Sequence, residues 1–320
     1  MPDPDRPRTV NTTVQTTAPT TGEAPVAKPA AWTVERLIVW TRGFFERKGI
    51  ESPRLCAELL MAHVLHCTRI ELYTNYQKPV DDPHLSTLRA LVQRAGEDEP
   101  IAYLTGRAHF FNLELIVTPD VLIPRPDTET LVEQVLKLCR NVMGFEAPRV
   151  LDLCTGTCCV ALAIAAHHKT AQLIATDISA PALGVAKQNV DKHALSDRVT
   201  LLHGDLFEAL NGFVDASPFD IITANPPYIA TQQMQSLPRN VRDYEPHVAL
   251  DGGADGLAPH RRILAGASDR LRAGGRVFLE IAFDQHDAAI AMIQQFPAFI
   301  DATVARDHAG QPRVLSAVRR

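Results

Sequence analysis

The 320-residue chain contains no apolar run approaching the roughly 18 residues needed to span a bilayer. Its first residues also lack the apolar stretch of a signal peptide. No membrane partner is therefore expected, and a cytoplasmic, reducing compartment is. Six cysteines are present but none stands in a CxxC pair, which argues against both a disulfide scaffold and a structural zinc site, so no metal is expected. Basic excess is missing as well: Lys plus Arg total 32 against 37 Asp plus Glu, for a net charge of −5. Residues 1–30 carry 3 basic and 3 acidic groups, 31–99 carry 9 and 10, and 100–320 carry 20 and 24. No segment is net basic, which weakens any reading as a binder of phosphate chains. Nothing in the chain specifies an oligomeric state.

What remains is globular, with 46% hydrophobic and 22% charged residues, and the length predicts about two domains. Residues 1–30 are rich in Thr and Pro and nearly devoid of large apolar side chains, so a disordered arm is expected there. Asp3, Asp5 and Glu23 argue against a transit peptide. From Trp32 the pattern turns helical. Leu37, Ile38, Trp40, Phe44 and Phe45 predict a first helix stopped by Gly49. Ser52-Pro53 opens a second, with Leu55, Leu59, Leu60 and Val64 on one stripe. Leu85, Leu88, Leu91 and Val92 predict a third, closed by Gly96. Residues 31–99 thus form a small helical packing or docking domain. Residues 100–126, with Phe110, Phe111, Leu113, Leu115 and Val117, predict a β-hairpin connector. From Asp127, strand and helix alternate: a helix capped by Asp127 or Thr128, strands at 150–153, 173–177, 199–202, 220–223 and 276–281, and helices at 161–167 and 181–193. That rhythm specifies an α/β fold, a Rossmann-like, doubly wound and mostly parallel sheet over 127–320. Ligands bind such sheets at the carboxyl ends of the strands, and the candidate residues lie there.

After the first strand comes Asp152-Leu153-Cys154-Thr155-Gly156-Thr157-Cys158, a small-residue loop that lets a ligand approach the backbone. Asp177 ends the second strand, where a carboxylate reaches ribose hydroxyls. Asp205 ends the third, near where an adenine lies. NAD enzymes share this geometry, and an unliganded α/β turn is the plain alternative. The fourth strand is decisive. It runs into Asn225-Pro226-Pro227-Tyr228, whose two prolines hold the backbone extended and remove two N–H donors. The Pro226 carbonyl and the Asn225 side-chain oxygen then both face a ligand as acceptors, suited to the two hydrogens of an –NH₂ group. Tyr228 offers an aromatic face to the flat group that carries it.

These residues resemble the Asn-Pro-Pro-Tyr class of S-adenosylmethionine-dependent methyltransferases, which modify planar nitrogens. Three further runs sharpen the resemblance: Ala102-Tyr103-Leu104-Thr105-Gly106, Leu122-Ile123-Pro124-Arg125-Pro126-Asp127-Thr128-Glu129, and Glu245-Pro246 leading to Gly252-Gly253-Ala254-Asp255-Gly256-Leu257. Together they are similar to the release factor glutamine N5-methyltransferases, the HemK-type family, over roughly residues 32–320. The ribosomal-protein glutamine methyltransferases are near relatives. The resemblance implies S-adenosyl-L-methionine as cofactor, held by Cys154, Thr155, Gly156, Thr157, Cys158, Asp177, Asp205, Leu206 and Asn225. It implies the glutamine of a release factor's Gly-Gly-Gln motif as substrate, gripped by Asn225, Pro226, Pro227 and Tyr228. Asn225, Pro226 and Tyr228 are the catalytic candidates. Residues 31–99 become a substrate-docking domain.

Two departures stand out. The family's first loop ends in glycine where this chain has Cys158, which costs about 1–2 kcal/mol of strain if the position needs a positive φ. Leu206 follows the third-strand acid where relatives often carry tryptophan. Arg125 is a candidate brace for cofactor or substrate, and Glu245 for the loop over the pocket. His63, His66, His167 and His168 lie on predicted helices without a matching ligand set, and Cys158 and Cys159 read as packing residues. The competing functions are a nucleic-acid N6-adenine methyltransferase, which would flip a base against Tyr228, and an inactive protein-binding homologue.

Overall fold

The computed structural model describes residues 31–320 apart from Val214 and Ala216. The arm expected over residues 1–30 lies outside the described residues. Five helices come first: α1 (Val34–Lys48), α2 (Pro53–Val64), α3 (Arg69–Thr74), α4 (Asp82–Ala95) and α5 (Ile101–Thr105). Leu37, Ile38 and Phe45 of α1 pack against Leu60, Met61 and Val64 of α2 and Leu88, Leu91 and Val92 of α4. The stripe differs from expectation at two residues, since Trp40 is 44% and Leu55 39% exposed. Leu55 sits in the first turn of α2, on a face taken up by a polar cluster. There the buried Glu58 carboxylate accepts from Arg54, Arg69 and Tyr73. Helix α3 was not anticipated from apolar spacing. Its signal is a capping box, in which the Thr68 hydroxyl accepts the Glu71 N–H and the Glu71 carboxylate accepts the Thr68 N–H.

A hairpin follows, β1 (Arg107–Phe110) paired antiparallel with β2 (Leu113–Ile116). The connector expected from residue 100 thus begins with the single turn of α5, whose Leu104 is buried in the helical core. The rest of the chain runs α6 (Glu129–Asn141), β3 (Arg149–Leu153), α7 (Cys159–His167), β4 (Gln172–Asp177), α8 (Ala180–Lys192), β5 (Val199–His203), β6 (Phe219–Ala224), α9 (Arg239–Arg242), α10 (Ala258–Ala267), β7 (Leu271–Glu280), α11 (His286–Ile293), β8 (Phe299–Arg306) and β9 (Pro312–Arg319). The seven long strands lie in the order β5-β4-β3-β6-β7-β9-β8. The first five are parallel, and β9 and β8 return antiparallel at one edge.

Side chains alternate across this sheet, as period-two strands require. Val150, Leu173, Val199, Ile221 and Phe278 meet α6, α7 and α8, while Leu151, Ile174, Ile222, Val277 and Leu279 meet α10 and α11. A sheet covered on both faces leaves one place for a ligand. Strand β3 has β4 on one side and β6 on the other, so strand order reverses there and a crevice opens at the carboxyl ends. The hairpin is fixed to this body by Asn189 of α8, which is fully buried. Its amide accepts the Ile116 N–H (2.7 Å) and donates to the Ile116 carbonyl (3.0 Å) and to the Thr157 carbonyl in the first loop (3.1 Å).

The helix cap expected at Asp127 or Thr128 is not there. A 3₁₀ turn at Pro126–Thr128 leads into α6 without a side-chain cap. The Thr128 hydroxyl, buried with its residue only 1% exposed, turns instead toward the crevice.

Candidate active site

The crevice encloses a cavity of about 230 Å³ lined by the loops after β3, β4, β5 and β6, with Leu122, Pro124, Arg125 and Thr128 from the segment before α6. Of the sequence-predicted residues, Cys154, Thr155, Gly156, Thr157, Asp177, Asp205, Leu206, Asn225 and Pro227 all reach its wall.

The loop after β3 is shaped by hydrogen bonds from below. Asp152 is buried, and its carboxylate accepts from Thr155 Oγ1 at 2.6 Å and Thr223 Oγ1 at 2.8 Å. Burial pushes its pKa up to about 6 even against those two donors. The Thr155 N–H donates to the Thr176 carbonyl on β4, tying loop to sheet. Gly156 follows with φ +53, and a Cβ there would meet nothing within 4 Å. Its requirement for glycine is therefore conformational, not steric. Asp177 completes the arrangement. One carboxylate oxygen accepts the Gly156 N–H at 2.8 Å, the other the Ser179 N–H at 2.9 Å. A single side chain thus fixes two loops and still presents lone pairs to the cavity.

Cys158 does adopt a positive φ, +67, so the strain anticipated for a residue other than glycine is present. Its side chain turns away from the cavity into the core, fully buried beside Val150 and Leu162. Burial there recovers part of the strain, and burial also pushes the thiols of Cys158 and Cys159 up, Cys159 to about 12. All six cysteines are free. Asp205 accepts from Arg262 of α10 at 2.8 Å, and Leu206 beside it is 8% exposed.

At the end of β6 the Asn225 side chain donates through Nδ2 to Thr128 Oγ1 at 3.2 Å. With its nitrogen engaged there, Oδ1 is the atom left to accept from a ligand. Pro226 is buried, whereas Pro227 faces the cavity. The Tyr228 hydroxyl donates to Oε1 of Glu280, at the end of β7, at 3.3 Å. The phenol is pushed up by burial and by that carboxylate. The backbone of this segment is held by the glycine-rich run downstream. Ile229 N–H donates to the Leu250 carbonyl, Gly252 N–H to Ile229, and Thr231 N–H to Gly253. Gln285 Nε2 donates to the Tyr228 carbonyl at 3.0 Å.

Arg125 and Glu245 do meet. Arg125 Nη2 lies 2.5 Å from Glu245 Oε1, while Glu245 Oε2 accepts the Ile123 N–H at 3.4 Å. The pair clamps the segment before α6 to the segment after α9, and burial of Glu245 raises its pKa against the pull of Arg125. The histidines singled out earlier are dispersed on or just past the ends of α2 and α7. Among the described residues no group of three or more His, Cys, Asp or Glu could hold a metal ion, and no helix is long and apolar enough to cross a membrane. Sequence reasoning missed Glu280 and Thr128 as parts of the site. Nothing in a strand-terminal glutamate or a pre-helical threonine signals that both will be buried against Asn225 and Tyr228.

The sheet order and the crevice between β3 and β6 define a Rossmann-like methyltransferase, and residues 128–240 match the methyltransferase small domain. Residues 36–106 match the PrmC N-terminal domain. The chain is 40% identical over 294 residues to the release factor glutamine methyltransferase of Rhodopirellula baltica, covering 92% of this chain and 98% of that protein. It is 38% identical to that of Geobacter sulfurreducens, covering 90% and 97%. It belongs to the release factor glutamine methyltransferase family. Among solved structures, the hMettl16 catalytic domain in complex with MAT2A 3'UTR hairpin 6 shares the fold, with a TM-score of 0.52 at 17% identity over 74% of this chain and 82% of that one.

Proposed function

We propose that this chain transfers a methyl group from S-adenosyl-L-methionine to the side-chain nitrogen N5 of the glutamine in the Gly-Gly-Gln motif of peptide chain release factors. The observation that carries the reading is the orientation of Asn225, whose nitrogen is committed to Thr128 so that its oxygen is available in the cavity. The cofactor supplies an electrophilic methyl group on a sulfonium. The residues present fit it: Gly156 gives close backbone approach, Asp177 presents lone pairs for ribose hydroxyls, and Asp205 and Leu206 flank the far end of the cavity.

The chemical difficulty is on the other side. An amide nitrogen is a poor nucleophile because its lone pair is delocalised, as the ~18–20 kcal/mol rotational barrier of a peptide bond shows. Asn225 Oδ1 and the Pro226 carbonyl accept the two N–H bonds and draw electron density toward nitrogen. They also aim the nitrogen, and place two acceptors where positive charge develops. The nitrogen becomes acidic once it carries an extra substituent, so its proton leaves after transfer without a strong base beforehand. Tyr228, expected to face the flat amide, does not line the cavity, and its hydroxyl donates to Glu280 instead. The helical domain of α1–α5 docks the protein substrate.

The test is an incubation with labelled cofactor and three acceptors: a release factor with its Gly-Gly-Gln loop, the ribosomal protein of the sister branch, and DNA. Label on the release factor glutamine is the expected outcome, and label confined to either of the others would overturn the proposal. For the cofactor end, Asp177→Ala releases two loop N–H groups as well as the ribose acceptor. It is expected to weaken S-adenosylmethionine binding roughly 30-fold, equivalent to about 2 kcal/mol. Calorimetry reads this directly, and a change below twofold would remove Asp177 from the cofactor site.

A further inference from the structure

The cavity wall over residues 120–128 is irregular chain that ends in one 3₁₀ turn, Pro126–Thr128. It belongs to no strand, and Pro124 and Pro126 have no N–H to give. A segment with so few backbone hydrogen bonds keeps its place through side chains that reach it from elsewhere. Besides Asn225, three do so among the described residues. Tyr103 of α5 donates to the Val121 carbonyl at 2.6 Å. Glu245 takes the Ile123 N–H and Arg125. The third is Arg313 of β9, whose Nη2 lies 2.9 Å from Asp127 Oδ2, in the turn itself.

Arg313 is buried, and it is anchored without Asp127. Its Nε and Nη2 donate to Asp307 Oδ2 at 3.2 and 3.1 Å, and its Nη1 donates to the Ile281 carbonyl at 3.4 Å. Asp307 is itself fixed between β8 and β9, where its Oδ1 accepts the Ala309 and Gln311 N–H groups at 3.0 and 2.9 Å. A buried guanidinium requires a counter-charge, and Asp307, with its side chain 3% exposed, supplies one. The Asp127 side chain is 49% exposed. Its charge is therefore not what keeps Arg313 in the fold. What the second pair does is fasten the turn to the sheet.

We propose that Arg313 is a positioning residue for methyl transfer: held by Asp307, its guanidinium holds Asp127 and so sets where the Pro126–Thr128 turn stands in the cavity wall. This rests on the reading of Asn225 given under Proposed function. Arg313 does not line the cavity. It acts through two residues of the same short stretch that do. Thr128 accepts from Asn225 Nδ2 at 3.2 Å, and Arg125 pairs with Glu245. Successive Cα atoms are about 3.8 Å apart, so a shift of Asp127 passes to Thr128 with little slack. The Glu245 clamp remains when the Arg313 tie is lost, so the expected effect is graded, not total.

The experiment varies the attraction at position 127. Asp127→Asn keeps a neutral acceptor, Asp127→Ala removes it, and Asp127→Lys sets a like charge against Arg313. Because the position is half exposed, all three should fold, with Tm within about 3 °C of the wild type. Their kcat is measured at saturating S-adenosylmethionine, on whichever acceptor the incubation above labels. It is expected to fall roughly 3-, 10- and 30-fold in that order. In an Arg313→Gln background the same three substitutions should each change kcat by less than about twofold. A merely structural pair lowers Tm without producing that order. Asp127→Lys within twofold of the wild type, or the same order of losses without Arg313, would overturn the inference.

Amide exchange in the absence of any acceptor separates this from a failure of the proposed function. Peptides covering residues 122–130 include the Thr128 N–H, which donates to the Arg125 carbonyl at 3.1 Å across the turn. They should exchange several-fold faster in Asp127→Lys than in the wild type, and that difference should vanish in the Arg313→Gln background. If no acceptor is labelled but the contrast holds, the proposed substrate is wrong and the tie stands. If the release factor is labelled and the contrast is absent, the tie alone is wrong.

Discussion

Asn225→Ala should lower kcat for release factor methylation roughly 1,000-fold while leaving S-adenosylmethionine affinity within about threefold. The size follows from two losses that act together. The first is an acceptor at the nitrogen where positive charge develops, an interaction that strengthens as the reaction proceeds and so lowers the barrier more than it aids binding. The second is aim, because one remaining acceptor, the Pro226 carbonyl, leaves the substrate amide free to rotate. Affinity for the cofactor is spared because the contacts proposed for it centre on Asp177 and the Gly156 loop, which are held by bonds that do not involve Asn225. Asn225→Asp separates the two losses. It restores an acceptor, but the Thr128 hydroxyl, which accepts from the Asn225 nitrogen, must then donate to an oxygen in its place, and the new charge is set against a residue only 1% exposed. An intermediate loss of about 100-fold is expected for it. Single-turnover rates with saturating cofactor check both variants. Alanine within tenfold of the wild type would mean that Asn225 does not grip the reacting nitrogen.

The parallel strands were legible because each is a short, nearly unbroken apolar run ended by a turn or a charged residue, as sheets covered on both faces require. Thus β4 was expected at 173–177 and is Gln172–Asp177, and β6 was expected at 220–223 and is Phe219–Ala224. The return strands were not. In β8 buried and exposed positions intermix without a clean apolar run, and the antiparallel pairing of β8 with β9 is a long-range choice that no local pattern announces. For the crevice the same division holds. Residues at strand ends could be placed because topology alone puts them there. Thr128, which arrives from before α6, and Glu280, which ends the neighbouring β7 inside an expected strand, carry no local mark of burial. Thr128 even misled, since a threonine ahead of an apolar helical stripe has the form of an N-cap, and here its hydroxyl serves Asn225 instead. Cys158 illustrates the limit differently. Its strained φ was foreseeable from the missing glycine, but the direction of its side chain, into the core and off the cavity wall, required the backbone.

The glycine run at 252–256 was recognisable by resemblance alone, and the structure supplies its physical reason. Gly256 has φ +74, and a Cβ built on it would lie 2.3 Å from the Tyr228 carbonyl oxygen and 2.6 Å from Gln285 Nε2. The Gln285 side chain can swing aside, but it would then release the Tyr228 carbonyl it holds at 3.0 Å. The carbonyl oxygen is backbone and must move with the Pro-Pro-Tyr segment. Gly256→Ala is therefore expected to displace Tyr228 and, through it, the Asn225–Pro226 acceptors. Misplacement on the order of 1 Å costs roughly 100-fold in kcat. The backbone strain adds about 1–2 kcal/mol of destabilisation, a fall in Tm of several degrees for a domain of this size. Gly144→Ala is the control. That glycine, at φ +89 in the loop before β3, lies at the opposite end of the strands, and the nearest contact of its Cβ would be Arg272 Nη2 at an ordinary 3.8 Å. It incurs the same conformational strain without pushing on anything near the crevice. Both variants should lose stability, Gly256→Ala the more because of its overlap with the Tyr228 carbonyl, but only Gly256→Ala should lose kcat, with KM for S-adenosylmethionine close to normal. Equal kcat in the two would mean that the glycine run merely closes a turn and that the position of Tyr228 does not depend on it.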